Sequence, residues 1–297
     1  MATRKGVTIV ETGIVEIGHL VLESGIILVN VQLAYERTGR LDAPHVLVCH
    51  ALTGSHATVG TDECPGWWSG LVGQGKSIDT NEFSVISFNA LGGSDGSTGP
   101  LSVNPTTGEL YRNLFPEVTI RDMVHAERKA LTVLGVNRLR AIIGGSLGGM
   151  RVLEWGILYP EDMDILFPMA TTPQSTNIGS MLYPFENGRS DMESFYPLIR
   201  AMNTHDIGRG RGGIEIASRR ISAKMVAFAF TDDPIYPTGE IRTFVHLIPN
   251  SIYCLVNTKN GYESFLVEFE KWGLVIKQSM EVAVCRQSKS LYLASAL

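Results

Sequence analysis

Short apolar runs alternate along this chain with stretches of helical periodicity. His45-Val46-Leu47-Val48-Cys49 and residues 83–88, 139–143, 165–167, 225–230 and 252–256 are unbroken or nearly unbroken apolar runs, the pattern of strands buried on both faces. Residues 20–22 and 26–35, parted by Glu23-Ser24-Gly25, predict a hairpin at the start of the sheet. Met123, Ala126, Ala130, Leu131 and Leu134 fall on one face of a helix over 120–134, which Gly135 is placed to cap. Further helices are predicted over 150–158, over 192–202 with Pro197 disturbing it, and from Glu263 through Trp272. Alternating strands and helices predict an α/β fold, a mainly parallel sheet covered on both faces. Between Ala170 and Gly213 the pattern breaks down into loop-like strings. The chain therefore divides into a first part of the core, 1–173, an insertion, 174–213, and a second part of the core, 214–297.

The apolar run at 139–143 leads straight into Gly144-Gly145-Ser146-Leu147-Gly148-Gly149. A Gly-x-Ser-x-Gly string between a buried strand and a helix is the arrangement of a nucleophile elbow. The glycines are there because the turn is too tight for side chains on either side of the serine. The turn lifts the Ser146 hydroxyl above the sheet edge and aims the Leu147 N–H at the same spot. Ligands of such sheets bind at the carboxyl ends of the strands, where Ser146 is predicted to sit.

Composition narrows the picture by exclusion. A net charge of -5 over 297 residues gives no basic footprint for nucleic acid. No apolar run approaches the roughly 18 residues of a membrane span, and the start of the chain does not read as a signal peptide. Cys49, Cys64, Cys254 and Cys285 show no paired spacing, so neither a metal site nor a disulfide framework is expected. Cys49 and Cys254 read as buried strand thiols, and a reducing cytoplasm fits.

A serine nucleophile needs an acid and a base. The acid should close the strand after the insertion, where Thr231-Asp232-Asp233-Pro234 stands. Asp233 is the first choice and Asp232 the second, against the plain alternative of a strand-end turn. The base should lie in the loop after the last strand, yet Thr258-Lys259-Asn260-Gly261-Tyr262-Glu263-Ser264-Phe265-Leu266 holds no histidine. His246, the one histidine after Asp233, reads as a half-buried helix residue. An imidazole titrates near pH 6.5 and can take the serine proton. A phenol, with a pKa of about 10, stays protonated and donates; Tyr262 could hydrogen-bond to Ser146 but would activate it poorly. The oxyanion of an acyl-transfer intermediate would be held by the N–H groups of Leu147 and Leu52, the latter in the loop His50-Ala51-Leu52-Thr53-Gly54.

These strings, with Gly66-Trp67-Trp68, Asn89-Ala90-Leu91-Gly92-Gly93, Gly96-Ser97-Thr98-Gly99-Pro100 and His205-Asp206-Ile207-Gly208-Arg209-Gly210-Arg211-Gly212-Gly213, resemble the homoserine O-acetyltransferase family of α/β-hydrolase-fold acyltransferases. The resemblance covers nearly the whole chain. It implies ping-pong transfer of acetyl from acetyl-CoA, through acyl-Ser146, to the side-chain hydroxyl of L-homoserine, an early step toward methionine. It implies Asp233 as the acid. Tyr262 then stands where the family has its histidine, and Glu263 where the family has the carboxylate that helps hold the substrate amine. The helical lid between Pro173 and Arg189 is almost gone, and the family's arginine for the homoserine carboxylate has no counterpart; Arg189 matches a later position. Arg209 and Arg211 are candidates for a CoA phosphate, weighed against a solvated loop. The expectations are small-molecule substrates (acyl-CoA and homoserine), no tightly bound cofactor, no metal, impaired turnover, an open site and a weakened family homodimer. A serine esterase or thioesterase of the same fold, or an inactive homologue, are the alternatives.

Overall fold

The computed structural model describes residues 10–175 and 192–284. Strands β1 (Val10–Val21), β2 (Ile27–Gly39), β3 (His45–Cys49), β4 (Val72–Gly73), β5 (Ile78–Asp79), β6 (Ser84–Phe88), β7 (Leu139–Gly145), β8 (Met163–Met169), β9 (Lys224–Phe230) and β10 (Ser251–Val256) alternate with helices. These are α1 (Ile120–Val133), α2 (Leu147–Leu158), α3 (Met192–Asn203), α4 (Ile214–Ser218), α5 (Thr238–Val245), α6 (Ser264–Val267) and α7 (Phe269–Val284). Among the described residues the main sheet has eight strands in the order β1-β2-β6-β3-β7-β8-β9-β10. β1, β2 and β6 pair antiparallel, and every pair from β6 to β10 is parallel. β7 is buried at all seven positions, which requires cover on both faces. α2 packs on β7 and β8, α1 on α2 and β1, α5 on β9 and β10, and α7 on β8. The α/β-hydrolase fold is therefore present, with β7 and α2 near its centre.

Five expectations need correction. The hairpin's first strand starts at Val10, not at residue 20, because its first half pairs with β2 while exposing most of its side chains and so lacks an apolar run. α2 starts at Leu147, directly after the serine. The helix expected from Glu263 through Trp272 is a 3-10 turn (Gly261–Glu263), α6 and α7, broken at Glu268, whose φ of -106° and ψ of 48° leave the helical region. Cys254 is only half-buried, since β10 is an edge strand, and His246 is exposed at the C-cap of α5. The shortened lid, Arg189 and Cys285 lie largely or wholly outside the described residues. No helix among the described residues is long and apolar enough to cross a membrane.

Candidate active site

Ser146 is the joint between β7 and α2. Its φ of 55° and ψ of -121° belong to a region that side-chain-bearing residues rarely enter. The surroundings hold it there: the Ser146 N–H donates to the Met169 carbonyl of β8 at 3.0 Å, and its own carbonyl accepts from the Met150 N–H at 2.9 Å. The close approach of α2 to β3 demands a glycine one position into the helix. A Cβ on Gly148 would lie 2.0 Å from the Cys49 carbonyl oxygen. The sequence reading of a nucleophile elbow thus has its backbone counterpart.

Leu147 supplies the first N–H of α2, which the helix ladder leaves unpaired, at the positive end of the helix dipole. Leu52 sits in the loop after β3, and among the described residues no acceptor takes its N–H. That loop is tied down from several sides. The Gly54 N–H donates to Ala51 O at 2.9 Å. The His50 Nδ1–H donates to the same carbonyl at 2.7 Å, while its Nε2 accepts the Ala90 N–H, beyond β6, at 2.9 Å. This pattern fixes a neutral ring, and burial holds the His50 pKa well below the ordinary histidine value. His50 is thus a brace between two strand-end loops, with no nitrogen left for proton transfer.

Asp233 follows β9. Its Oδ1 accepts the N–H groups of Ile235 at 2.8 Å and Tyr236 at 2.9 Å, and its Oδ2 is buried without a partner among the described residues. Burial raises its pKa, and the two N–H donors work against that rise. Asp232 is exposed at a φ of 60°. The acid turn is therefore also a side-chain-braced turn, and it aims Asp233 rather than Asp232 inward.

Two tyrosines stand beside the Ser146 hydroxyl. The Tyr236 hydroxyl lies 3.4 Å from Ser146 Oγ. Its ring stacks on that of Tyr262, with centroids 6.0 Å apart and planes 30° from parallel. Burial pushes the Tyr236 pKa up to about 12. Burial, then the neighbouring Tyr236, push that of Tyr262 up further, and a hydrogen bond to Ser146 only partly offsets them. Both phenols are held in the protonated form. Gly261, at a φ of 51°, lets the Tyr262 turn press against the acid turn: a Cβ there would lie 2.4 Å from Asp232 O. Buried Trp68 and Trp272 hold the same turn from behind, their indole N–H groups donating to Phe265 O at 2.9 Å and Ser264 O at 3.2 Å.

None of the chain's seven histidines, all described, hydrogen-bonds to Ser146 or Asp233. Glu263 is exposed beside Tyr262. Arg209 pairs with Glu23 at 2.9 Å and Arg211 with Glu154 at 2.8 Å, so carboxylates of this chain take up both charges. Tyr236 is the residue that sequence reasoning missed. Its only signal was a place three residues after the acid, which does not show where a side chain points.

The chain matches the α/β hydrolase fold family over residues 44–201. It is 35% identical to a homoserine O-acetyltransferase of Symbiobacterium thermophilum, across 84% of this chain and 88% of that one. The solved homoserine O-acetyltransferase of Bacillus anthracis superposes with a TM-score of 0.83 at 22% identity, covering 92% of this chain and 98% of that one. Esterase E22 superposes with a TM-score of 0.82 at 22% identity, covering 92% and 100%. With an elbow serine, a braced loop carrying Leu52 and an inward acid in the order of that fold, this chain belongs to the homoserine O-acetyltransferase family of α/β-hydrolase-fold enzymes.

Proposed function

We propose that this acyltransferase moves an acetyl group from acetyl-CoA to the hydroxyl of L-homoserine through acetyl-Ser146, and that its acylation step is slow. Ser146 Oγ forms a bond to the thioester carbonyl carbon. The N–H groups of Leu147 and Leu52 take the developing oxyanion. The carbon–sulfur bond then breaks, and CoA leaves as the thiol with the serine proton. The homoserine hydroxyl repeats the attack on acetyl-Ser146 and returns the proton to Oγ, with Glu263 facing the acceptor's amine. Asp233 orients the turn but has no imidazole to orient.

The observation that carries this reading is the Ser146 hydroxyl itself, set on a strained elbow yet facing two phenols and no imidazole. Loss of one triad member leaves about 10³–10⁴ over water from the oxyanion hole and binding. The test is the release of p-nitrophenol from p-nitrophenyl acetate, which isolates the first half-reaction. The unsubstituted chain should acylate slowly, Ser146→Ala not at all, and Tyr262→His faster by about 100-fold, within the usual contribution of general base catalysis. Addition of L-homoserine should then speed turnover of the acylated Tyr262→His variant by giving O-acetylhomoserine. A fast burst in the unsubstituted chain that Tyr262→His does not improve would show another base at work.

A further inference from the structure

The elbow helix carries a buried cation that acyl transfer does not use directly. Arg151, one turn into α2, is 0% exposed. Its Nη1 donates to Glu127 Oε1 of α1 at 2.6 Å, and its Nη2 donates to the His50 carbonyl at 2.5 Å. Glu127, 1% exposed, also accepts the Trp155 Nε1–H at 2.8 Å. A guanidinium suits this place because one planar fork can serve two acceptors that lie in different directions. The pair is costly to bury and, on stability grounds alone, replaceable by apolar side chains. What an apolar pair could not do is hold a carbonyl.

We infer that Arg151 is a positioning residue for acylation of Ser146, fixing through the His50 carbonyl the direction of the Leu52 N–H. The His50 carbonyl opens the loop that carries Leu52 two residues later. The His50 ring and the Ala51 carbonyl hold the middle of that loop, and Arg151 holds its start. Because Arg151 and the Leu147 N–H belong to the same helix, the two oxyanion donors are referenced to one rigid element, although one follows β7 and the other lies in the loop after β3. A donor must sit about 2.7–3.1 Å from the developing oxyanion, so a small rotation of this loop costs rate rather than binding.

This inference rests on the acyl-serine reading above, and the experiment separates the two. Ser146 is labelled with a fluorophosphonate: Oγ forms a bond to phosphorus, fluoride leaves, and the serine proton passes to solvent. The maximal labelling rate and the half-saturating concentration are measured separately, together with the melting temperature. Glu127→Gln keeps the bond to His50 and the acceptor for Trp155, and its maximal rate should stay within about twofold even where stability falls. Arg151→Lys keeps the charge beside Glu127 but loses the fork. The double variant Glu127→Gln/Arg151→Met removes the tether without leaving a buried charge, so it should melt close to the unsubstituted chain. Both Arg151 variants should label about 10–100-fold more slowly at saturation, below the 10²–10³ for full loss of an oxyanion donor, with the half-saturating concentration little changed. An unchanged maximal rate in the folded double variant overturns the inference alone. A serine left unlabelled in the unsubstituted chain overturns the acyl-serine reading and this inference with it.

Discussion

Ser146 and Tyr262 show how far single positions can be read. Ser146 was legible because the chemistry of an elbow dictates its neighbours: small residues on both sides and an apolar strand in front. Gly148 gives that rule a measurable form. In Gly148→Ala the new methyl would meet the Cys49 carbonyl, which is backbone and cannot swing away. Loss of about 3 kcal/mol, the upper end for overpacked sites, and loss of p-nitrophenyl acetate acylation are expected, measured by urea unfolding and by burst size. Asp233 was preferred to Asp232 from order along the chain, and the backbone adds that Asp232 is exposed while the Asp233 carboxylate turns inward onto two N–H groups. Tyr236 was not legible at all. Its contact with Ser146 depends on how a turn of Asp and Pro folds back, and turn chemistry constrains φ and ψ without announcing where a later ring lands.

At the scale of elements, the sequence marked best what is buried on both faces. β3, β6, β7, β8 and β9 carry apolar runs and lie inside the sheet. The outer hairpin was half hidden, since a strand that pairs on one side and faces solvent with much of its length needs few apolar residues. The split between α6 and α7 was hidden for another reason. Helical periodicity survives a one-residue break when both pieces bury the same side. Helix starts, by contrast, have local signals. Thr119 caps α1 in a reciprocal box, its side chain accepting from the Asp122 N–H at 3.2 Å while Asp122 accepts the Thr119 N–H at 2.8 Å. Asp122 also accepts the Glu23 N–H at 2.7 Å, joining α1 to the turn of the outer hairpin. Thr119→Ala should therefore cost about 1 kcal/mol, read as a lower urea midpoint. Because the cap is remote from the elbow, the p-nitrophenyl acetate rate should not change.

Across the whole molecule, buried neutral histidines contribute to the response to acid. Burial lowers the pKa of His205 to about 3, and His50 is lowered in the same direction for the same first reason. In the unfolded chain each takes a proton near pH 6.5, so the stability these groups bring is complete above that pH and is lost as the pH falls below it, for His205 down to about 3. Each can contribute up to about 1.4 kcal/mol per pH unit. Urea midpoints measured at pH 7.5, 6 and 5 should fall steadily, and His205→Gln should flatten the slope; a midpoint that rises on acidification would contradict this assignment. The indole bonds described behind the Tyr262 turn have an optical consequence. Trp68 and Trp272 are wholly buried, and their excited states are sensitive to the carbonyls that receive their N–H groups, those of Phe265 and Ser264. The segment that holds the Tyr262 phenol beside Ser146 is therefore wired to the protein's own ultraviolet emission, and movement of that segment can be followed by light with no label attached.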